Sequence, residues 1–286
     1  MRRIFLLLLL LVLGILPYRL LRDEFSLTNI TWNQPFTPNW VPSPLSQEEQ
    51  KEITAILAQP FSYLGKGRQM YAFVSKDQQY VLKFFKFTYL KPSPWASILP
   101  TSLREKWQKG QSKRFERVFG GYQVAYQLDK KHAGLLYLHL LQPGMEGRRV
   151  HVQDRWGFEQ DLPLESLYFI LQKKGVATRE VLEQLLKAKD DASIERKLQQ
   201  IIAMYKSEYA EGLYDNDHNV LSNTGFIGET PMRIDVGRLR KNDAYKQPSV
   251  YKKDLEKIVY ERIDKWLKAN LPEQRARILS NLSQNF

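Results

Sequence analysis

Apolar and polar positions divide the chain into stretches of different character. Residues 1–22, MRRIFLLLLLLVLGILPYRLLR, carry an unbroken apolar run over positions 4–16 between basic flanks. That run is shorter than the ~20 residues that cross a bilayer and matches a signal-peptide core, so it predicts export or membrane attachment. Residues 23–46, broken by Pro35, Pro38, Pro42 and Pro44, read as a linker. Ser46 with Glu49 three positions on predicts a capping box opening a helix over 47–59, with Ile53, Ile56 and Leu57 on its buried side. Between 61 and 87 apolar positions are punctuated by Gly65-Lys66-Gly67 and Ser75-Lys76-Asp77, which predicts three antiparallel strands. Further strands are expected over 134–141, 150–155 and 166–172. A helix is expected over 112–128, where Gly120-Gly121 is a weakening feature. After Thr178 the period becomes helical: Val181, Leu182, Leu185 and Leu186 mark one helix, and Leu198, Ile201, Ile202 and Tyr205 a longer one. Two more are expected over 250–269 and 271–282.

Composition narrows the function classes. The 286 residues hold 43 Lys+Arg against 31 Asp+Glu, a net charge of +12, with 43% hydrophobic residues and no cysteine. One or two globular units follow, and disulfides, thiolate zinc sites and catalytic thiols are excluded. Arg104, Lys106, Lys109, Lys113, Arg114 and Arg117 form a basic run. No nucleic-acid motif accompanies it, so a solvated face is the default and an anionic membrane surface the expected partner if it has one.

Candidate chemistry concentrates between Glu211 and Lys241. Asp215, Asp217, Asn219 and Asn223 form one polar cluster, and Asp235-Val236-Gly237 a second, after Met232 and Ile234 alternate as in a half-buried strand. Carboxylates and a carboxamide converging across a hairpin would make an oxygen-only site suited to Mg²⁺. A calcium loop does not fit, since Val220 and Phe226 stand where Gly and a bidentate Glu are required. Asp215-Asn216-Asp217 also matches the D-x-D of metal-dependent glycosyltransferases, but it follows a helical pattern. The plain alternative is a set of surface turns whose side chains bond their own backbone. His132, His139 and His151 lack metal-ligand spacing; His218 would bond a phosphate or fill the turn.

Taken in order, these motifs resemble the protein kinases. Gly65-x-Gly67-x-x-Met70 is similar to the G-x-G-x-x-G loop, with Met70 for the third glycine; Val81-Leu82-Lys83 is similar to V-A-I-K; Asp235-Val236-Gly237 to D-F-G. The resemblance covers about residues 61–239 and departs from the family at Asp215-Asn216, where His-Arg is usual, at the Asp217–Asn223 spacing, one residue too long, and in having no A-P-E. It implies that Gly65, Gly67 and Lys83 hold the phosphates of ATP and that Glu116, with Glu105 as the alternative, pairs with Lys83. It further implies that Asn223 and Asp235 hold Mg²⁺ and that Asp217, alternatively Asp215, accepts the acceptor's proton. The fold implied is α+β and two-lobed: a five-stranded antiparallel N-lobe over 47–174 and a small helical C-lobe over 175–286, after a signal peptide or anchor at 1–22. The activity implied is that of a membrane-attached or exported atypical phosphotransferase of bacterial type, acting on an unknown hydroxyl acceptor. A catalytically inactive pseudokinase scaffold with a protein partner is the alternative, and a metal-dependent glycosyltransferase the third reading.

Overall fold

A computed structural model describes residues 23–32, 42, 44–88, 100–284 and 286. The leader at 1–22 and most of the linker lie outside the described residues; among the described residues no helix is long and apolar enough to cross a membrane. Two compact units are present. The first takes the described residues up to Gln111 with His139–Ile170, the second Ser112–Leu138 with Leu171–Phe286.

In the first unit, α1 (Leu27–Ile30) precedes α2 (Gln47–Leu57). The expected capping box is formed: the Glu49 amide donates to Ser46 Oγ at 3.2 Å and the Ser46 amide to Glu49 Oε2 at 3.0 Å. Strands β1 (Phe61–Lys66), β2 (Met70–Ser75) and β3 (Tyr80–Phe85) form the antiparallel meander that the alternation predicts. Pairs Tyr71↔Phe84 and Phe73↔Leu82 share one face and Ala72↔Lys83 and Val74↔Val81 the other. Phe25 closes the first face, its ring meeting Tyr71 at 5.4 Å and Phe73 at 4.7 Å.

The sheet corrects the five-stranded antiparallel expectation. With β4 (Leu135–Leu140), β5 (Arg149–Gln153), β6 (Glu159–Pro163) and β7 (Tyr168–Lys173) it has seven strands in the order β4-β7-β3-β2-β1-β5-β6. It is mixed, because β5 pairs parallel to β1 through Phe61↔Val152. The unexpected strand β6 reads E-Q-D-L-P and is paired only with β5, so its outer positions stay polar and no apolar alternation announces it.

Helix α3 (Thr101–Leu128) is longer than expected, and α4 (Lys130–Ala133) ends on Gly134 in the left-handed region, at φ 58°. In the second unit, short β8 (Val176–Ala177) leads into α5 (Thr178–Lys187) and α6 (Asp191–Ala210). Asp190 caps α6 by accepting from the Ser193 amide. Leu198, Ile201, Ile202, Tyr205 and Tyr209 on α6 bury against apolar residues of α8 (Pro248–Ile258), α9 (Asp264–Asn270) and α10 (Arg275–Ser283). Each such side chain contributes roughly 1.5–3 kcal/mol. A π turn over Val259–Ile263 joins α8 to α9, letting Val259 and Ile263 both face the core.

Candidate functional site

The acidic stretch is held by two small pairings. Strand β9 (Leu213–Asp215) pairs antiparallel with β12 (Leu239–Lys241), so Asp215 lies opposite Leu239. Between them come α7 (Val220–Asn223) and the hairpin of β10 (Thr224–Ile227) and β11 (Thr230–Arg233), to whose edge β8 adds. The Asn223 carbonyl accepts from the amides of Ile234 at 2.8 Å and Asp235 at 3.2 Å, tying the end of α7 to the start of Asp235-Val236-Gly237. The chain enters at Gly212, φ 73°, where a Cβ would stand 2.8 Å from Asp243 Oδ1.

The hairpin and β9 are fastened by a residue that patterning alone did not single out. Arg233 is fully buried at the end of β11. Its Nε donates to Glu208 Oε1 at 2.7 Å, its Nη2 to Glu208 Oε2, and its Nη1 to Asp215 Oδ2 at 2.7 Å. The guanidinium also lies 4.3 Å over the Tyr205 ring. Burial alone would lower the Arg233 pKa, but Glu208 and its other neighbours hold it well above the ordinary value. Burial raises Asp215, against the opposing pull of Arg233, and Asp235 and Asp217 raise it further. Those last two influences place both carboxylates near Asp215.

Asp215 and Asp217 therefore stand in different surroundings. Asp215 Oδ1 accepts the Asp217 amide at 2.8 Å and Oδ2 belongs to Arg233, so this carboxylate is consumed by structure. Asp217 keeps its side chain part-exposed, with Arg238 Nε 3.7 Å away. With Asp215 taken, the D-x-D reading loses one of its two ligands. His218 fills the turn, its Nε2 2.8 Å from Asp254 Oδ1, while Tyr209 donates to Asp254 Oδ2 at 2.7 Å. The bond to Asp254 raises the His218 pKa. Behind the loop, Tyr214 stacks on Tyr245 at 4.0 Å.

Asp235 is exposed, and its Oδ1 is aimed by two donors, Tyr122 OH at 3.2 Å and the Gly237 amide at 2.9 Å. Tyr122 sits on α3, which comes close enough to touch the turn because residue 121 is glycine. A Cβ there would lie 2.5 Å from the Gly237 carbonyl carbon and 2.6 Å from the Val236 oxygen. The pair that weakens the helix on paper is thus half explained: Gly120 meets nothing within 4 Å, whereas Gly121 makes the contact possible.

In the first unit, Lys83 is buried on the face it shares with Ala72, Val74 and Val81. Gly65 follows a bulge in β1 and has open space where a Cβ would stand. The Gly67 amide donates to the Met70 carbonyl at 2.9 Å and its carbonyl accepts Lys86 Nζ at 3.0 Å, so both main-chain polar groups of this residue are already engaged. The Glu116 side chain lies outside the described residues.

Asp217 and Asp235 offer carboxylates and Asn223 a carboxamide, the donor chemistry Mg²⁺ takes, and Asp235 has Oδ2 outside its two bonds. Among the described residues a different set brings three ligand atoms within 4.8 Å: Asp129, His132 and Glu208. His132 Nδ1 lies 2.6 Å from Asp129 Oδ1 and Arg233 holds both oxygens of Glu208, which makes this set part of the buried charge network.

No family model matches the chain, and no curated protein does. Solved structures similar to it include a crystal structure of WbdD, at 15% identity and a TM-score of 0.38, covering 76% of this chain and 43% of that one. They also include the bifunctional kinase-methyltransferase WbdD at 16% identity and 0.38, covering 76% and 42%. A co-crystal of WbdD with the kinase inhibitor LY294002 gives 16% identity and 0.39, covering 78% and 44%. The chain spans less than half the length of these structures.

Proposed function

We propose that this chain is an atypical kinase-like phosphotransferase, attached to a membrane, that moves the terminal phosphoryl group of Mg-ATP to a hydroxyl. The observation that carries the reading is the division of labour among three acids of one loop-and-hairpin. Asp215 is bound into the fold by Arg233, Asp217 keeps a part-exposed carboxylate, and Asp235 is exposed with one oxygen aimed by Tyr122 and Gly237. Asp217 is the group that accepts the proton of the acceptor hydroxyl as its oxygen bonds to phosphorus and the bond to the departing diphosphate breaks. Asp235 and Asn223 would hold Mg²⁺, which supplies charge neutralisation when bound. Lys83, with Gly65 and Gly67, would serve the nucleotide phosphates, and Glu116 would steady Lys83.

Transfer of label from γ-³²P-ATP to a hydroxyl acceptor tests the reading. Asp217→Asn should abolish transfer while stabilisation by Mg-ATP persists, worth about 2.7 kcal/mol at a hundredfold excess over Kd. Asp235→Asn and Lys83→Ala should lose both. A wild-type chain whose melting temperature ignores Mg-ATP would remove the proposal. One observation favours the inactive-scaffold reading: the Gly67 amide is bonded to Met70, where a phosphate loop would present it to the anion. Nucleotide stabilisation without transfer would decide for that reading.

A further inference from the structure

The geometry points to a lipid-bilayer docking surface at the tip of the β5–β6 hairpin, a site the phosphotransferase reading does not use. Trp156 and Phe158 at that tip are 62% and 67% exposed, the largest values among the exposed apolar side chains of the described residues. They are not isolated. Leu64 on β1 is 50% exposed and Leu27 on α1 is 45% exposed. Strand β1 runs parallel to β5, with Ser62 opposite Gln153, so Leu64 lies at the same end of the sheet as the hairpin tip.

One ion cluster gathers these residues. Glu24 Oε1 receives Lys66 Nζ at 2.9 Å, two residues beyond Leu64, and Arg155 Nη1 at 3.0 Å, adjacent in sequence to Trp156. The Arg155 guanidinium also lies 4.5 Å over the Trp156 ring. Leu27 is three residues beyond Glu24. Four exposed apolar side chains thus lie within a few residues of the members of this cluster, alongside exposed Lys66, Arg155 and Arg68. Aromatic residues backed by cations are the composition that settles at the level of lipid headgroups.

The chain itself says why a bilayer is the occupant. The apolar run at 4–16 ends seven residues before Asp23. Seven residues reach at most about 25 Å. At Asp23 and Glu24 the chain is fastened at this same end of the sheet: Lys86 Nζ is 2.7 Å from the Asp23 side-chain Oδ1, Tyr71 OH donates to the Asp23 and Glu24 carbonyls at 3.1 and 3.0 Å, and Asn29 Nδ2 to the Glu24 carbonyl at 2.7 Å. A leader in a bilayer therefore tethers the molecule by the edge that displays Trp156 and Phe158.

The cysteine-free chain allows a direct test. Full-length Phe158→Cys and, as a control, Lys76→Cys are labelled with a polarity-sensitive fluorophore and reconstituted with phosphatidylcholine–phosphatidylglycerol vesicles carrying a headgroup-level nitroxide lipid. Lys76 lies in the turn at the opposite end of β2. Emission from position 158 should shift to the blue and be quenched by the nitroxide, while that from position 76 stays as in water; Trp156→Ser should reduce the quenching at 158. Both positions are exposed, so neither label disturbs packing. A probe at 158 that stays water-like and unquenched, or a chain that fails to float with the vesicles, overturns the proposal, and a soluble protein partner then becomes the occupant of that tip.

Discussion

The two units treat several of their buried bases in opposite ways. In the first, burial wins. His139 on β4 is fully buried with its ring 5.0 Å from Phe169, and burial pushes it down to about 4 against a backbone hydrogen bond. Lys86 follows the same rule, since burial lowers its pKa despite the Asp23 carboxylate 2.7 Å away. At three bases of the second unit the partner wins, while burial still raises the acids Asp215 and Glu208 against Arg233. The bond to Asp129 raises His132, the bond to Asp254 raises His218, and Arg233 is held well above its ordinary value against the effect of burial. Around β4 and Lys86 burial sets the direction of the shift, whereas at His132, His218 and Arg233 the paired charge does.

The largest effect that separates the two strategies is expected at Arg233. Arg233→Met leaves Glu208 and Asp215 as buried carboxylates with no cation between them, a loss of about 3–5 kcal/mol. Urea unfolding monitored by circular dichroism measures it. The combined variant Arg233→Met, Glu208→Leu, Asp215→Leu should recover most of that loss, because no charge is then stranded. A triple variant as unstable as the single one would show that shape, not charge, holds the hairpin to β9.

The next effect is in the pH dependence, where the two units should move in opposite directions. The folded His139 near 4 binds its proton later than the unfolded residue near 6.5, so stability falls as pH drops through that window, by at most about 3 kcal/mol. His132 and His218 have raised folded values, so their contribution is fully present below the unfolded value and is lost as pH rises through the folded one. Hydrogen exchange, corrected for its intrinsic pH dependence, should show β4 loosening toward pH 4.5 while α4 and β9 gain protection relative to pH 8. His139→Leu should flatten the acid response of β4; an unchanged slope in that variant would assign the effect to another group.

This contrast also explains what could be read from the chain. Strands β1 to β3 and the Ser46 cap announce themselves through alternation and through side-chain types that serve one local purpose. Strand β6 does not, because E-Q-D-L-P carries its polar residues on a sheet edge, and the β1–β5 pairing does not, because a parallel ladder has no tight turn between its strands. At the candidate site the acids were legible as a motif. Their different burial was not: Asp215 and Asp217 look alike in sequence, and only Arg233 distinguishes them. A lone arginine in T-P-M-R reads as an edge charge, and its partners lie 18 and 25 residues away. Met232 and Ile234 suggested an alternating strand, yet the most buried side chain of that segment is the cation between them. A buried ion pair between distant segments has no periodic signature.

The smallest effects separate two adjacent glycines on α3. Gly120 meets no atom within 4 Å, so Gly120→Ala should stabilise by about 0.5–1 kcal/mol, the ordinary gain of alanine in a helix. Gly121→Ala gains the same helical preference but places its methyl group against the Val236 and Gly237 carbonyls, which are backbone and have little freedom to give. Overpacking of that kind costs about 1–3 kcal/mol, so the net change should be of opposite sign to that at 120. The helix would also draw away from the turn and lengthen the Tyr122–Asp235 bond that now aims the carboxylate. Thermal unfolding of the two variants reads the signs, and Mg²⁺ binding followed by calorimetry reads the aim of Asp235: it should weaken in the 121 variant and stay unchanged in the 120 variant. Equal shifts in both would mean that the glycine pair serves helix flexibility alone, and the close approach of α3 to Asp235-Val236-Gly237 would then have no part in holding the site.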